Sequence, residues 1–231
     1  MRLAVINPNA TASMTRSIAE AARAATASDI EIIALTNESG PASIQGVVDG
    51  VHAIPGLLDL IERHGDADAF IIACFDDTGL DAARCVAAGP VVGIGEAGCH
   101  AASLVAHRFS VITTLSRSVP ILRNNLDMHG LSRKCASILA TGVPVLALEN
   151  ASGEVLQGIN ATIRMAIERD GAEAIVLGCA GMAGMTRQLS QTYGIPFIDG
   201  VASAVGLAAG LVRMGIATSR HGLYASAAPV A

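Results

Sequence analysis

Tryptophan is absent from the 231-residue chain, and four phenylalanines and two tyrosines are its only large aromatic rings. A core without such rings has to be filled by Ala, Val, Ile and Leu, which suits β-branched parallel strands covered by Ala-rich helices. Charge is scarce as well. Asp, Glu, Lys and Arg together make up 15% of the chain, and the formal net charge is −5. With neither a basic stripe nor aromatic faces on which bases stack, no nucleic acid partner is expected. No apolar run reaches the roughly 18 residues of a membrane span, so no membrane partner is expected either. The apolar stretch in MRLAVINPN is too short for a signal peptide and breaks at Asn7-Pro8. The cysteines (74, 85, 99, 135 and 179) are odd in number and lack both scaffold and CxxC spacing, which points to reduced thiols in a cytoplasm. The six histidines are scattered and no HExxH occurs, so no metal site is expected.

What is plentiful is core material: 52% of the residues are hydrophobic and the mean hydropathy is +0.51. Apolar runs and helical patterns alternate. Strands are predicted at 3–7, 30–35, 69–74 and 90–94, and helices at 11–27 and near 51–64, 78–87 and 97–107. A turn-rich loop, TNESGPASIQG, follows the second strand. This βαβα order implies a parallel sheet with helices on its faces.

The order then starts again. RLAVI (2–6) is echoed by RFSVI (108–112), and IERHGDADAFIIAC (61–74) by IERDGAEAIVLGC (167–179). GPVVG (89–93) falls on GIPFID (194–199), with Pro90 over Pro196. The expected fold class is therefore α/β: two similar parallel-sheet halves related by a pseudo-twofold, with the active site in the cleft between them. The boundary is expected near 105. Residues 1–104 plus about 201–231 would form the first half and 105–200 the second, with a helix over about 201–214 packing back on the first half and 219–231 loosely ordered. Ala-rich, weakly charged helices point to buried contacts in a homo-oligomer.

Both halves place a thiol where a buried strand stops. Cys74 ends ADAFIIAC and Cys179 ends EAIVLGC, each ahead of a glycine-containing turn and a helix. In open α/β sheets ligands sit beyond the carboxyl ends of the strands. A helix start lowers a thiol's pKa and offers N–H donors to a developing oxyanion. A thiolate on one face of a carbon acid and a thiol on the other form a racemase arrangement: one takes the proton, the other delivers one from behind. The alternative is a pair of core cysteines carried along by duplication. Cys85, Cys99 and Cys135 have no counterpart at strand ends and read as packing residues.

With these residues in view, the sequence resembles the hydantoin racemase branch of the aspartate/glutamate racemase superfamily. The resemblance rests on INPN (6–9), GPASIQG (40–46), ACFDDTGL (73–80), GIGEA (93–97), VITTLSRSVP (111–120), VLGCAGM (176–182) and IDGV (198–201). It implies cofactor-independent racemisation of a small molecule, a 5-monosubstituted hydantoin, by Cys74 and Cys179. It places substrate contacts at Asn9, Ser43, Ile44, Phe75, Thr113 and Thr114, and at the backbone of Ala180, Gly181 and Met182.

Other motifs in the sequence compete with this reading. GIGEAG (93–98) is a literal GxGxxG, but it follows the fourth strand of its half, and no acid stands about 20 residues on to hold a ribose. Tight turning and close helix packing explain it better, with Glu96 as a helix-start acid. Asp77 reads as a cap of the helix that follows. Asp76 has no counterpart in the second half. Allantoin or a free aspartate or glutamate are the alternative substrates. A metabolite-binding module and a thiol-redox pair are the alternatives to a racemase.

Overall fold

The computed structural model describes residues 1–145, 147 and 153–225. Its first sheet contains β1 (Arg2–Asn7), β2 (Glu31–Thr36), β3 (Ala69–Ile72) and β4 (Val91–Gly93), all parallel, in the order β2-β1-β3-β4. The second contains β5 (Phe109–Thr113), β6 (Cys135–Ala140), β7 (Ala174–Gly178) and β8 (Phe197–Asp199), again parallel, in the order β6-β5-β7-β8. The duplication read from the sequence is thus reproduced strand for strand. The inner strands carry the core. Leu3 to Ile6, Phe70 to Ile72, and Val111 and Ile112 have no exposed surface, as unbroken apolar runs covered on both faces require. Each such side chain stabilises the fold by roughly 1.5–3 kcal/mol relative to exposure. The flanking strands β2 and β6 are only half buried.

The helices are α1 (Ala12–Ala24), α2 (Val47–Arg63), α3 (Leu80–Val86), α4 (Ile94–Val105), α5 (Val119–Met128), α6 (Gly153–Arg164), α7 (Thr186–Tyr193) and α8 (Gly200–Arg213). Two boundaries differ from expectation. Helix α2 begins four residues before the expected position, at Val47, because its exposed first turn carries no amphipathic signal, and it runs through Pro55. Strand β3 stops at Ile72. Ala73 still donates its N–H to Ile6 O at 2.8 Å, so Cys74 is the first residue clear of the sheet.

By contacts the described residues divide into two compact units: 1–73, 77–93 and 204–225, and 74–76 with those of 94–203. The expected boundary near 105 lies at one end of α4, whereas the division falls at the other. The reason is where α4 packs. It lies on β7 and β8, close enough that a Cβ on Gly98 would stand 3.0 Å from Val176 Cγ1. The glycine of the GxGxxG string therefore serves close packing. The end of α8 returns to the first unit, where Arg213 pairs with Asp29 at 3.0 Å.

The expectation of a loose tail from 219 onward is corrected as far as 225. Arg220 donates to the carbonyls of Arg84, Cys85 and Ala87 at the C-terminal end of α3, and Tyr224 Oη donates to Asp81 at 2.9 Å. A guanidinium on carbonyls that a helix end leaves without partners is a favourable place for a cation. Residues 226–231 lie outside the described residues. No described helix is long and apolar enough to cross a membrane.

Candidate active site

In a 2-1-3-4 parallel sheet the connections leave β1 and β3 in opposite directions. The crevice beyond their carboxyl ends is the switch point at which ligands bind. In the first sheet the residues there are Asn7 at the end of β1 with Pro8 and Asn9 after it, and the segment after β3 that includes Cys74. In the second, the same two strands are β5, ending at Thr113, and β7, followed by Cys179.

Cys179 is buried, and its backbone is extended at φ −158° and ψ 133° before a 3-10 turn over Ala180–Met185 leads into α7. Met182 is fully buried and donates its N–H to Cys179 O at 3.0 Å, so of the three backbone amides expected to face a substrate this one is turned inward. Thr113 and Thr114 are buried at the end of β5. Thr113 is the register partner of Gly178, and its hydroxyl donates to Gly178 O at 3.3 Å. That bond ties the end of β5 to the residue before the thiol.

Cys74 is half-buried, and none of the five cysteines is in a disulfide. Phe75 is buried. The segment 74–76 belongs with the second unit, the one that carries Cys179, Thr113 and Thr114. Part of the reason is Asn125 of α5, whose side-chain amide donates to Asp76 O at 3.0 Å. Burial pushes the Asp76 carboxyl up to about 6.

Asp77 returns to the first unit in an unusual way. At φ 53° it is the one described non-glycine residue in the left-handed region. The expectation that it caps the next helix is corrected in part: the residue at the cap position of α3 is Gly79, itself left-handed at φ 72°. Asp77's carboxylate lies against Gly93, where an added Cβ would stand 2.0 Å from Oδ1. A non-glycine residue held at positive φ is a local strain of the kind that clusters at functional loops.

Asn9, Ser43 and Ile44 lie in the first unit. Asn9 is buried, and its Oδ1 accepts from Asn7 Nδ2 at 3.0 Å and from the Thr11 N–H at 2.9 Å. This network continues from Asn7 to Thr15 and from Thr15 to Thr36, fixing the loop after β1. Ser43 accepts from Gln45 Nε2 at 2.7 Å, and Ile44 is buried beside it.

The remaining thiols lie elsewhere. Cys85 is on α3 with its thiol toward Leu223 O, Cys99 is buried on α4, and Cys135 opens β6 at the opposite sheet edge. Burial pushes the Cys135 thiol up to about 11, which leaves it a poor nucleophile. Asp199 ends β8, accepts from the N–H groups of Val201 and Ala202, and so caps α8. Its carboxyl is raised by burial despite those bonds. One grouping was not anticipated from the sequence. Glu96 and His100 of α4 meet His129 at the end of α5, although no local histidine motif exists.

Two identically ordered parallel sheets, each with a cysteine at the switch-point end of its third strand, are the architecture of a duplicated α/β enzyme with a thiol in each half. The comparisons with known proteins agree with that class. Residues 3–208 match the Asp/Glu/hydantoin racemase family, and the chain belongs to it. It is 45% identical to a hydantoin racemase of Rhizobium meliloti, over 97% of this chain and 94% of that protein. Among solved structures it is similar to an allantoin racemase from Klebsiella pneumoniae, at 44% identity and a TM-score of 0.95, covering 98% of this chain and 94% of that one. An allantoin racemase from Pseudomonas fluorescens matches at 39% identity and a TM-score of 0.94, covering 99% and 98%. The protein is thus an isomerase of the racemase type.

Proposed function

We propose that the chain racemises 5-monosubstituted hydantoins without a cofactor, using Cys74 and Cys179 as the two bases. The observation that carries this reading is the matching place of the two thiols, Cys179 immediately after and Cys74 one residue beyond the end of the third strand of an identically ordered sheet. In one direction the Cys74 or Cys179 thiolate removes the proton from C5, and the electron pair moves onto the adjacent ring carbonyl. The other thiol then delivers its proton to the opposite face of C5. The first sulfur now holds the abstracted proton and the second is a thiolate, so the same pair runs the reverse direction with roles exchanged. The enolate oxygen needs donors more than counter-charges. The Ala180 and Gly181 amides and the Thr114 hydroxyl are assigned that task. Met182 N–H and the Thr113 hydroxyl hold the turn instead.

Neutral Asn9, Ser43, Thr113 and Thr114 offer nothing that matches the ammonium and carboxylate of a free amino acid, whereas a neutral ring with an apolar arm suits Ile44 and Phe75. Allantoin is the second reading, favoured by the likeness to two allantoin racemases. It is itself a hydantoin with a ureido group at C5, so the two substrates differ only in that arm. The test is loss of optical rotation with enantiopure 5-benzylhydantoin, allantoin and glutamate, for wild type and for Cys74→Ala and Cys179→Ala. Each alanine variant is expected to lose racemisation. Near-normal turnover by either one overturns the two-thiol mechanism, and a preference for glutamate overturns the substrate. The exposed Val47, Val48 and Val51 at the start of α2 support assembly with further copies of the chain, which light scattering of the purified protein tests.

A further inference from the structure

A second cluster of chemistry-bearing side chains lies away from the thiols, and nothing in racemisation requires it. Glu96 and His100 stand four residues apart on α4, one turn along the same face. Helix α5 packs against α4 and ends at Met128, which puts His129 opposite them. His129 Nδ1 lies 3.8 Å from Glu96 Oε1, and the two imidazole rings are 6.0 Å apart between centroids. One nitrogen of each ring and one carboxylate oxygen all fall within 4.8 Å of one another, and all three residues are half-buried.

An ion pair alone explains Glu96 with His129 but leaves His100 without a purpose there. If both imidazoles were protonated, two positive charges would crowd one carboxylate. If both are neutral, two nitrogen lone pairs and one anionic oxygen converge, which suits a divalent cation. Tetrahedral zinc with bonds of 2.0–2.1 Å sets neighbouring ligand atoms about 3.3 Å apart. Closing from the present spacing takes on the order of 1 Å, within reach of side-chain rotation on two rigid helices. We infer that Glu96, His100 and His129 form a binding site for a divalent transition-metal ion of the zinc type. Three protein ligands leave a fourth position open to water. His129 also lies four residues beyond Asn125, which holds the Asp76 carbonyl, so an ion here would fix the end of the helix that anchors the Cys74 loop.

Cobalt(II) is the probe, because its visible bands report coordination number and ligand type without any measurement of turnover. Titration of the full chain is expected to saturate at one cobalt per chain with the absorption of a four- or five-coordinate nitrogen–oxygen site, and zinc is expected to displace it. His100→Ala, His129→Ala and Glu96→Gln are each expected to weaken binding on the order of 100-fold. Zinc should raise the melting temperature of wild type and leave that of the variants unmoved. Absence of saturable binding overturns the inference, as do unchanged affinities in all three variants. So does a thiolate-to-cobalt charge-transfer band, which would place the ion on cysteine. Should one histidine variant fail to fold, the other two variants still decide the matter. Racemisation is not read in any arm, so failure of the catalytic proposal leaves this test intact.

Discussion

Asp76 is a carboxylate whose burial should be measurable as a pH-dependent loss of stability. Its pKa rises from 3.8 to about 6, and burial is the cause. Between those two values the folded chain holds a proton that the unfolded chain has released. Stability therefore falls as pH climbs through this window, and the full penalty is present above the folded pKa. That rise corresponds to roughly 3 kcal/mol. Asp76→Asn keeps the shape and removes the charge. Relative to wild type, it is expected to gain about 1 kcal/mol at pH 4.5 and about 3 kcal/mol at pH 8. Urea unfolding of both proteins at half-unit steps from pH 4.5 to 8 reads the difference directly. A difference that is flat with pH would refute the reasoning, because it would mean that the carboxylate is as well solvated in the folded chain as in the unfolded one. The location gives the result its interest. The cost falls two residues after Cys74, on a loop that also holds Asp77 at φ 53°. Stability set aside at such a place is what a working site shows more often than a packing site does.

Three further outcomes follow from the packing. With its thiol near 11, Cys135 should resist iodoacetamide at pH 8 in the folded protein and react after unfolding, as peptide mass mapping will show; labelling on the scale of Cys85 would contradict the burial. Gly200→Ala puts a Cβ 2.5 Å from Ile94 O, a backbone atom that cannot swing away, and should cost about 2 kcal/mol or more, whereas Gly206→Ala on the same helix meets nothing within 4 Å and should gain about 0.5–1 kcal/mol in chemical denaturation. Arg220→Ala should cost on the order of 1 kcal/mol by uncovering the last carbonyls of α3, with faster amide hydrogen exchange over residues 218–225 as the readout; unchanged exchange would mean that the tail is held by its other bonds, those of Thr218, Cys85 and Tyr224.

The repeat and the two thiols were legible because they depend on local pattern. AFII and AIVLG are apolar runs with no polar face to hide, and the cysteine after each can be read by eye. The allegiance of α4 was not legible. A helix of Ala and Gly packs against either sheet equally well on paper, and only the close approach of Gly98 to Val176 selects one. The start of α2 was hidden because Val47, Val48 and Val51 are exposed, so the helix opens with no amphipathic signal. The Glu96–His100–His129 cluster was invisible for a different reason. Its third member comes from another helix, and a search for local histidine motifs cannot find a site assembled by packing.

The duplication is exact in topology and broken in chemistry, and on the proposed mechanism that difference has a strict consequence. Cys74 is followed by Phe75, Asp76 and a strained Asp77, and it is half-buried; Cys179 is followed by Ala180, Gly181 and Met182, and it is buried. The two sulfurs therefore do not share one degree of burial or one set of neighbouring residues. Yet two enantiomers in water have equal free energy, so kcat/KM must be the same in both directions whatever the protein does. The asymmetry of the loops can appear only in terms that cancel, as a higher kcat with a proportionally higher KM for one enantiomer. A substitution beside one thiol, such as Asp76→Asn, must then move both directions together in kcat/KM, and any inequality it introduces between the two kcat values must be matched by the same inequality in KM. Two half-sites of different make, bound by one equilibrium constant of unity, are what a racemase built from a diverged repeat has to be.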